Sequence, residues 1–424
     1  MNRFDFLIIG GGIAGVTAAG ELRRLLPNSS IGIISDENYP LYSRVLLPHY
    51  VRGKIPREKV FFKDWQWYAE RGIDVYRGRT AARLDVGGHR ATLDDGIEIS
   101  YEKLLIAAGG RPRKLPVPGA DSPGVLPFRT LDDADRIVRA LDGLSLRPEN
   151  EREAAIIGGG LIGLEFPPIF RDRGFRTSFI IREPRFWNWL WDDVSGEILE
   201  STLTANGVKL YNSEECQMIV GDNPSTSLRA GSGIRAVRTS SGREIPARIL
   251  GFGVGIIPNL EFAASAGVTC ERGVLTDEYL MTNVPDIFAA GDVAEFWNKD
   301  LGRRQFLGNW MNAQEQGRVA AANMAGERGE FSLVSQYAAT VFDLVVSFIG
   351  DVRADLETTV IARGEAQARQ YGRLLIRDGR LVGATLSNRI ADRIPIAELI
   401  KRKVDIRGSE AALADPATDL KTLF

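Results

Sequence analysis

An apolar run that ends at three glycines opens the chain. Residues 6–9 are all apolar, and Gly10, Gly11 and Gly12 follow them directly. A short apolar run bounded by turn residues predicts a strand that is buried on both faces. The longest later apolar stretch, residues 341–349, includes an aspartate and falls short of the roughly 20 residues that a membrane helix requires. The hydropathy pattern therefore predicts a globular protein with no membrane partner.

The same strand-and-glycine pattern occurs twice. Residues 4–15 carry Gly-x-Gly-x-x-Gly at Gly10, Gly12 and Gly15, and residues 153–165 carry it at Gly158, Gly160 and Gly163. In this motif the first glycine makes a tight turn, the second lets a pyrophosphate approach the backbone, and the third lets the following helix pack closely on the strand. The anion then lies on the free amides at the helix start. One copy alone is weak evidence, but two in the same context predict two dinucleotide-binding domains.

A second predicted strand follows each copy, where a ribose-binding residue is expected. The first, Ile31–Ser35, leads directly to Asp36, whose carboxylate is placed to accept hydrogen bonds from an adenosine ribose. The second, Arg176–Ile181, leads to Arg182 and Glu183. Arg182 favours the 2′-phosphate of NADPH unless it is merely a solvated residue at a strand end, whereas Glu183 favours a free ribose. The sequence leaves both NADH and NADPH open.

Four further segments are predicted strands or helices whose ends carry glycines or polar residues suited to bind a cofactor. Residues 101–112 and their echo at residues 249–259 are predicted strands that run into glycines. Residues 282–292 form an apolar strand that ends at Asp292, where a carboxylate is placed to hold the polyol chain of a flavin. Residues 310–317 open a helix whose start is placed to face the polar edge of a ring.

Composition narrows the classes of function. The chain has 424 residues, which suggests two or three domains at ~150 residues each. Its 53 basic and 55 acidic residues give a formal charge of −2, so no overall basic field favours nucleic acid. The cysteines, Cys216 and Cys270, exclude a disulfide framework and favour a reducing, cytoplasmic compartment. With His49 and His89 as the only histidines, and no calcium-loop pattern, the sequence predicts no metal site.

Together these motifs resemble those of the FAD-dependent pyridine nucleotide–disulfide oxidoreductase superfamily. Within it they are similar to the branch of rubredoxin and ferredoxin reductases and the flavin-binding half of assimilatory nitrite reductases. The resemblance implies an α/β fold with two Rossmann-like domains, the second inserted in the first, and a C-terminal α+β interface domain that supports a homodimer. The implied bounds are 1–118 and 247–325 for the FAD-binding domain, 119–246 for the NAD(P)H-binding domain, and 326–424 for the interface domain.

The resemblance also implies which residues bind the two dinucleotides. For FAD these are Gly10, Gly12, Gly15, Asp36, Arg44, Ala108, Gly109, Gly291, Asp292, Trp310 and Ala313. For NAD(P)H, which is the substrate, they are Gly158, Gly160, Gly163, Arg182, Glu183 and Gly255.

Glu165 and His49 are the catalytic residues that the resemblance implies. Ferredoxin-reductase relatives commonly carry a lysine where His49 aligns, and that lysine pairs with the acid that matches Glu165. A carboxylate beside an imidazole raises the pKa of the ring, so the pair is expected to supply a proton or a positive charge. The cysteines of disulfide-reducing relatives are missing from residues 42–50, and no thiol step is expected.

The function indicated is an FAD-dependent NAD(P)H oxidoreductase that passes electrons to an electron-carrier protein or a partner subunit. A nicotinamide gives up two electrons as a hydride, whereas a flavin accepts the hydride and releases electrons singly. Two alternatives stay open. One is an NAD(P)H oxidase or quinone reductase, and the other is a nucleotide-gated redox-sensing binding protein of the apoptosis-inducing-factor type.

Two segments outside the motifs carry structural predictions. Trp187, Trp189 and Trp191 alternate after the second ribose strand, and they either wall the nucleotide cleft or, as large rings more commonly do, lie in the core. In the tail the pattern predicts strands at Ala339–Ile349, Thr358–Ala362, Tyr371–Arg377 and Leu381–Ser387, and a helix at Ala391–Lys403.

Overall fold

The computed structural model describes residues 2–187, 190–221 and 233–424. Contacts divide the chain into two compact units. The first comprises Met1–Leu46, Pro56–Arg111 and Ile256–Leu333, and the second comprises Leu47–Ile55, Pro112–Gly255 and Val334–Phe424. The second unit therefore holds the predicted nucleotide-binding and C-terminal domains together, along with the short segment 47–55. Among the described residues, no helix is long and apolar enough to cross a membrane.

Strands and helices alternate at the start of the first 112 residues, and five strands follow one another at their end. In chain order these are β1 (Asn2–Ile9), α1 (Ile13–Leu25), β2 (Ile31–Ser35), α2 (Leu47–Val51), α3 (Trp65–Ala69), β3 (Ile73–Arg77), β4 (Ala81–Asp85), β5 (Arg90–Leu93), β6 (Glu98–Ile106) and β7 (Gly110–Pro112). Every residue of β2 is buried, as expected for a strand of a sheet that is covered on both faces.

The inserted segment repeats this alternation. It contains β8 (Val125–Pro127), α4 (Leu131–Ser145), β9 (Glu153–Ile157), α5 (Leu161–Asp172), β10 (Arg176–Ile180), α6 (Asp193–Ala205), β11 (Val208–Tyr211), β12 (Cys216–Gly221), β13 (Ile234–Thr239), β14 (Glu244–Pro246) and β15 (Ile249–Phe252). Its main sheet has the order β11-β10-β9-β15-β8 and every pairing in it is parallel. The strands β12, β13 and β14 form a separate antiparallel sheet.

The rest of the chain completes the first unit and adds the C-terminal domain. It contains β16 (Ile256–Pro258), α7 (Glu261–Ala264), β17 (Val274–Thr276), β18 (Ile287–Ala289), β19 (Ala294–Asn298), β20 (Arg303–Phe306), α8 (Trp310–Met324), β21 (Gln336–Val341), β22 (Leu344–Gly350), β23 (Thr359–Glu365), β24 (Gln370–Arg377), β25 (Arg380–Ser387), α9 (Arg393–Lys401) and α10 (Glu410–Ala414). The main sheet of the first unit has the order β3-β2-β1-β6-β5-β4, and β18 also pairs with β6.

The predicted repeat is present as two parallel β–α–β units. β1 pairs in parallel with both β2 and β6, and β9 pairs in parallel with both β10 and β15. In each unit the glycine motif is the connection from strand to helix. Because ligands of open parallel sheets bind at the carboxyl ends of the strands, each unit places its glycine turn where a dinucleotide binds. The α/β class with two Rossmann-like domains is confirmed.

The C-terminal domain is an antiparallel sheet with the order β21-β22-β25-β24-β23. One face of this sheet packs on α9, through residues such as Leu374, Ile396 and Leu399. The single strand predicted over Ala339–Ile349 is wrong, because β21 and β22 are the two arms of a hairpin. Phe342 makes the turn at φ +58°, and its apolar side chain hid that turn in the hydropathy pattern.

Close packing of α8 on α1 leads to a test of the first unit. A Cβ at Gly317 of α8 would lie 2.2 Å from the Ala14 backbone oxygen, whereas a Cβ at Gly143 of α4 would meet nothing within 4 Å. We expect Gly317→Ala to lower the free energy of unfolding by roughly 1–3 kcal/mol through overpacking. The control Gly143→Ala should raise it by roughly 0.5–1 kcal/mol through helix propensity. Urea unfolding followed by circular dichroism measures both, and shifts in the same direction would contradict the packing argument.

Candidate functional site

The first glycine turn is shaped by close approach of the backbone. Gly10 has φ +125°, and a Cβ there would lie 2.1 Å from the Ala107 oxygen. A Cβ at Gly15 would lie 2.0 Å from the Gly10 oxygen, so neither position accepts a side chain. At Gly12, by contrast, a Cβ would meet nothing within 4 Å. The turn therefore combines two glycines required by packing with one that leaves open space at the start of α1.

The helix α1 begins without a side-chain cap. Its N-cap residue is Gly12, and its first turn contains no acidic residue. The helices α4, α6 and α8 are instead capped by side chains, those of Thr130, Asp192 and Asn309. Because the first amides of a helix need an acceptor, an uncapped start that lacks negative charge is suited to bind an anion.

Three of the predicted flavin-site residues share one electrostatic neighbourhood. The Arg44 guanidinium donates to the Glu37 carboxylate at 2.7 Å. Burial lowers the pKa of Arg44, but the neighbouring acids offset this and the pKa is raised, by Tyr42, Glu37, Asp292 and Asp36. The structure thus brings Arg44, Asp36 and Asp292 close enough to interact, while their binding of a flavin stays a prediction. It also adds Glu37, which lies next to Asp36 in the sequence.

A buried side-chain amide lies beside Gly291, the residue before Asp292. The Gly291 N–H donates to Gln316 Oε1 at 2.7 Å, while Gln316 Nε2 is buried without a hydrogen-bond partner among the described residues. Gln316 lies on α8, which begins at Trp310 and includes the buried Ala313. A buried amide without a partner is costly, so its free N–H groups fit a polar ligand at this place. Gln316 lies within the predicted helix start at residues 310–317, but the sequence pattern predicted no role for its side chain.

Ala108 and Gly109 follow β6 at the same edge of the sheet. Asn259 holds both: its side chain donates to the Ala108 oxygen at 2.9 Å, and its backbone N–H donates to the Gly109 oxygen at 3.1 Å. Together with the open Gly12, the uncapped α1 and the unpaired Gln316 amide, this edge has the features that a dinucleotide with a polar ring system requires.

The second glycine turn repeats this geometry in the second unit. A Cβ at Gly158, which has φ +98°, would lie 2.5 Å from the Gly253 oxygen, and one at Gly163 would lie 1.8 Å from the Gly158 oxygen. At Gly160 the nearest atom would be 3.6 Å away, and Gly255 has open space around it. The helix α5 starts at Gly160 without a side-chain cap or an acid in its first turn. Its start is therefore suited to bind an anion, as is the start of α1.

The ribose end of this second turn is more acidic than the sequence suggested. Arg182 donates to the Glu183 carboxylate at 2.8 Å. That hydrogen bond raises the pKa of Arg182, with a further contribution from Glu215. The nearby Arg185 is engaged by Asp193 at 3.2 Å and by Glu197 at 3.3 Å. Both arginines that follow β10 are therefore paired with carboxylates.

Glu165 is half-buried on α5, and its charged neighbour is an arginine. Burial raises the pKa of Glu165 to about 7, and the charge of Arg52 opposes that shift. Arg52 also forms an ion pair with Asp172, two turns along α5 from Glu165, at 2.8 Å. His49 is exposed and forms no hydrogen bond or ion pair with Glu165 within the described residues. Arg52 lies one helical turn after His49. Because the resemblance aligns His49 with the lysine of the relatives, it did not predict Arg52 as the cation near Glu165.

The cysteines lie in ordinary structural surroundings. Both are free thiols, and burial raises the pKa of Cys216 to about 11. A thiol with so high a pKa is a poor nucleophile at neutral pH. In the part of the chain that the structure describes, no group of three or more potential metal ligands is present.

Comparison with known proteins agrees with this geometry. The profile of the pyridine nucleotide-disulphide oxidoreductase family matches residues 4–317, and a reductase C-terminal profile matches residues 341–424. The chain is 30% identical to the 5,5'-dehydrodivanillate O-demethylase ferredoxin reductase subunit of Sphingobium sp. (strain NBRC 103272 / SYK-6), over 100% of this chain and 99% of that one. It is 28% identical to an NAD(P)H nitrite reductase of Bacillus subtilis (strain 168), over 96% of this chain but only 48% of that protein.

A solved structure extends the comparison to the fold. The ferredoxin reductase for the CYP199A2 system from Rhodopseudomonas palustris is 26% identical, with a TM-score of 0.87 over 99% of both chains. The chain belongs to the pyridine nucleotide-disulphide oxidoreductase family. Within that family it is an FAD-dependent NAD(P)H oxidoreductase that is similar along its whole length to ferredoxin reductases, which confirms the resemblance read from the sequence.

The raised pKa of Glu165 predicts a pH-dependent effect on stability. Desolvation raises the pKa of Glu165 in the folded protein to about 7, whereas in the unfolded chain the carboxyl releases its proton near the ordinary pKa of 4.5. The wild-type protein therefore loses free energy of unfolding as the pH rises between those two values, and the loss is complete above the higher one. Glu165→Gln cannot ionise, so its stability relative to wild type should increase over the same interval and then stay constant.

Urea unfolding of both proteins across this pH range measures the difference. The exposed residue Glu357 offers a matched control, because Glu357→Gln makes the same chemical change without burial. A Glu165→Gln difference that is constant with pH, or one that Glu357→Gln reproduces, would contradict a buried and protonated Glu165.

Proposed function

We propose that this chain passes electrons from NADH through FAD to a ferredoxin-type carrier protein. The observation that carries the proposal is the pair of uncapped glycine turns, one at the carboxyl edge of each parallel sheet. One turn accounts for a resident flavin dinucleotide and the other for a nicotinamide dinucleotide. Relatives of the same length whose names describe ferredoxin reductases support the choice of acceptor.

In the first unit we assign the FAD contacts by position. The turn that contains Gly10, Gly12 and Gly15 would bind the pyrophosphate, Asp36 the adenosine ribose and Asp292 the ribityl chain. The ring system would be lined by Arg44, Ala108, Gly109, Gly291, Trp310 and Ala313, and the free amide of Gln316 supports a polar group at this place. When bound, FAD would accept a hydride and release its electrons one at a time.

In the second unit the geometry favours NADH over NADPH. The turn at Gly158, Gly160 and Gly163 would bind the pyrophosphate. Gly255, which follows β15 in the chain, would also contact the nucleotide. Glu183 would accept the ribose hydroxyls. Because Arg182 is already paired with Glu183 and feels Glu215 as well, a 2′-phosphate would meet more negative than positive charge. Arg185 offers no replacement, since Asp193 and Glu197 already engage it.

Glu165 is the proposed catalytic acid–base group on α5. With its pKa at about 7, it holds a proton for part of the time at neutral pH, which is the condition for a group that exchanges one during turnover. Arg52 counters the burial and favours the ionised form. The part predicted for His49 stays a prediction, and its exposed ring leaves Arg52 as the cation that acts on Glu165.

A cytoplasmic location and a homodimer also stay predictions. The free thiols of Cys216 and Cys270 support a reducing compartment. The presence of a reductase C-terminal domain at residues 341–424 supports an interface role for that part of the chain. Sedimentation of the purified protein would measure the oligomeric state.

Acceptor kinetics test the proposed function. With NADH as donor, we expect a kcat/KM for ferredoxin at least about tenfold above that for oxygen or a quinone, since a site that docks a carrier stabilises that transfer specifically. Ferricyanide, a small acceptor that needs no docking surface, controls for the rate of flavin reduction. Equal or faster transfer to oxygen or quinone would favour the oxidase or quinone reductase alternative. Slow turnover with every acceptor, ferricyanide included, would mean that NADH reduces the flavin slowly and would favour the redox-sensing alternative.

Glu183 and Arg182 form a matched pair for nucleotide preference. Glu183→Ala should raise the KM for NADH about tenfold, because two ribose hydrogen bonds to a carboxylate are lost, and should leave kcat nearly unchanged. Arg182→Ala should leave the KM for NADH within about twofold and should not worsen an already high KM for NADPH. Steady-state kinetics with ferricyanide measure all four values. A large NADPH-specific loss in Arg182→Ala would show instead that Arg182 binds a 2′-phosphate.

A further inference from the structure

Trp187 and Trp191, two of the tryptophans that alternate after β10, lie against the C-terminal sheet. They belong to a segment that we call the aromatic loop, of which residues 186–187 and 190–192 are described. Trp187 and Trp191 are both buried, as the core alternative predicted, while Trp189 lies outside the described residues. The aromatic loop begins only three residues after Glu183, the proposed ribose-binding residue. Contacts that fix Trp187 and Trp191 therefore also restrict the chain next to Glu183.

Phe348 of β22 holds both rings. Its centroid lies 5.2 Å from that of Trp187 in an edge-to-face arrangement and 5.6 Å from that of Trp191 in a stacked one. Tyr337, the cross-strand partner of Phe348, also stacks on the Phe348 ring, with centroids 4.7 Å apart. Such ring pairs are attractive beyond the area that they bury. The aromatic loop is therefore anchored on the sheet face that does not pack on α9.

Polar contacts from β24 fix the end of the aromatic loop. Arg373, a buried cation, donates to the Leu190 oxygen at 2.7 Å. The Tyr371 hydroxyl donates to Asp192 Oδ2 at 2.6 Å, while Asp192 Oδ1 caps α6 by accepting from the Ser195 N–H at 2.9 Å. One carboxylate thus joins the C-terminal sheet to the start of a helix in the nucleotide-binding domain.

The beginning of the aromatic loop lies under the nucleotide turn. Phe186 is fully buried and packs edge-to-face on Phe179 of β10, with centroids 5.0 Å apart. A Cβ at Gly159, in the middle of the second glycine motif, would lie 3.2 Å from Phe186 Cδ1. Trp187, the next residue, has φ +48°. A bulky residue keeps that conformation only where its surroundings impose it, and here those surroundings are Phe348 and Trp191.

We propose that the C-terminal sheet is a positioning element for the nicotinamide nucleotide: Phe348, Tyr371 and Arg373 hold the aromatic loop so that Phe186 supports the turn at Gly159. This inference rests on the proposed binding of NADH at the second glycine turn. It gives the reductase C-terminal domain a task in substrate affinity, in addition to any interface role. Phe348, Tyr371 and Arg373 are positioning residues, since they act through the aromatic loop.

Direct binding and kinetics of two variants test this. Phe348→Ala removes the ring that holds Trp187, and we expect the calorimetric Kd for NAD⁺ and the KM for NADH to rise about tenfold, with kcat within about twofold. Tyr371→Phe removes a single hydroxyl, is expected to fold, and should raise both values about threefold. FAD content should match wild type in both variants, because the first unit is unchanged.

A control on the opposite face of the same strand separates positioning from general stability. Leu374 is fully buried and packs in the cluster with α9 rather than on the aromatic loop. Leu374→Ala should lower the unfolding temperature while leaving the Kd for NAD⁺ within about twofold of wild type. An equal rise of Kd in Leu374→Ala and Phe348→Ala, or an unchanged Kd in both Phe348→Ala and Tyr371→Phe, would overturn the inference.

Glu183→Ala in the same calorimetry distinguishes failure of the inference from failure of the proposed nucleotide site. If Glu183→Ala weakens NAD⁺ binding and the two sheet variants do not, the positioning inference is wrong and the site stands. If the sheet variants weaken binding and Glu183→Ala does not, the aromatic loop positions the nucleotide but the ribose assignment is wrong.

Discussion

At both glycine turns the strand backbone passes so close to the first turn of the helix that only a hydrogen atom fits at Cα. A Cβ at Gly15 would lie 2.0 Å from a backbone oxygen, and one at Gly163 would lie 1.8 Å from its counterpart. Backbone atoms cannot move aside as a flexible side chain can, so these positions fix how each helix sits on its sheet. The uncapped helix start and the open space at the middle glycine lie within the same turns, so their placement depends on this close approach.

Electrostatics then separate the two sites that this shared geometry creates. In the first unit a half-buried arginine, Arg44, lies among carboxylates that include Asp36 and Asp292. The buried Gln316 Nε2 group has no hydrogen-bond partner among the described residues. In the second unit Arg182, which follows β10, is paired with its neighbour Glu183, and desolvation raises the pKa of the Glu165 carboxyl to about 7. The first pattern suits a resident cofactor with several polar edges. The second suits a substrate that arrives, reacts and leaves.

Local sequence patterns predicted much of this. The two turns, their strands and the ribose-side acids follow from short-range rules, because strand, turn and helix start lie within about a dozen residues of one another. What the sequence did not predict depends on long-range packing. Arg52 acts on Glu165 because α2 meets α5, the Gln316 amide is free because Gly291 engages only its oxygen, and Trp187 is buried because a strand far along the chain offers Phe348. The hairpin at Phe342 was missed for a local reason, since an aromatic residue rarely makes a turn at positive φ.

We propose that one chain binds a flavin and a nicotinamide at two separate turns. Electrons pass from the nicotinamide to the flavin and from the flavin to a carrier protein. An anaerobic double-mixing experiment tests this proposal most directly, with flavin absorbance as the signal. One equivalent of NADH, which delivers two electrons, should bleach the flavin without loss of a thiol. Two equivalents of a one-electron ferredoxin added next should restore the absorbance, because each ferredoxin molecule accepts one electron. A flavin that NADH does not bleach, or one that is bleached and then not reoxidised by ferredoxin, would contradict the account.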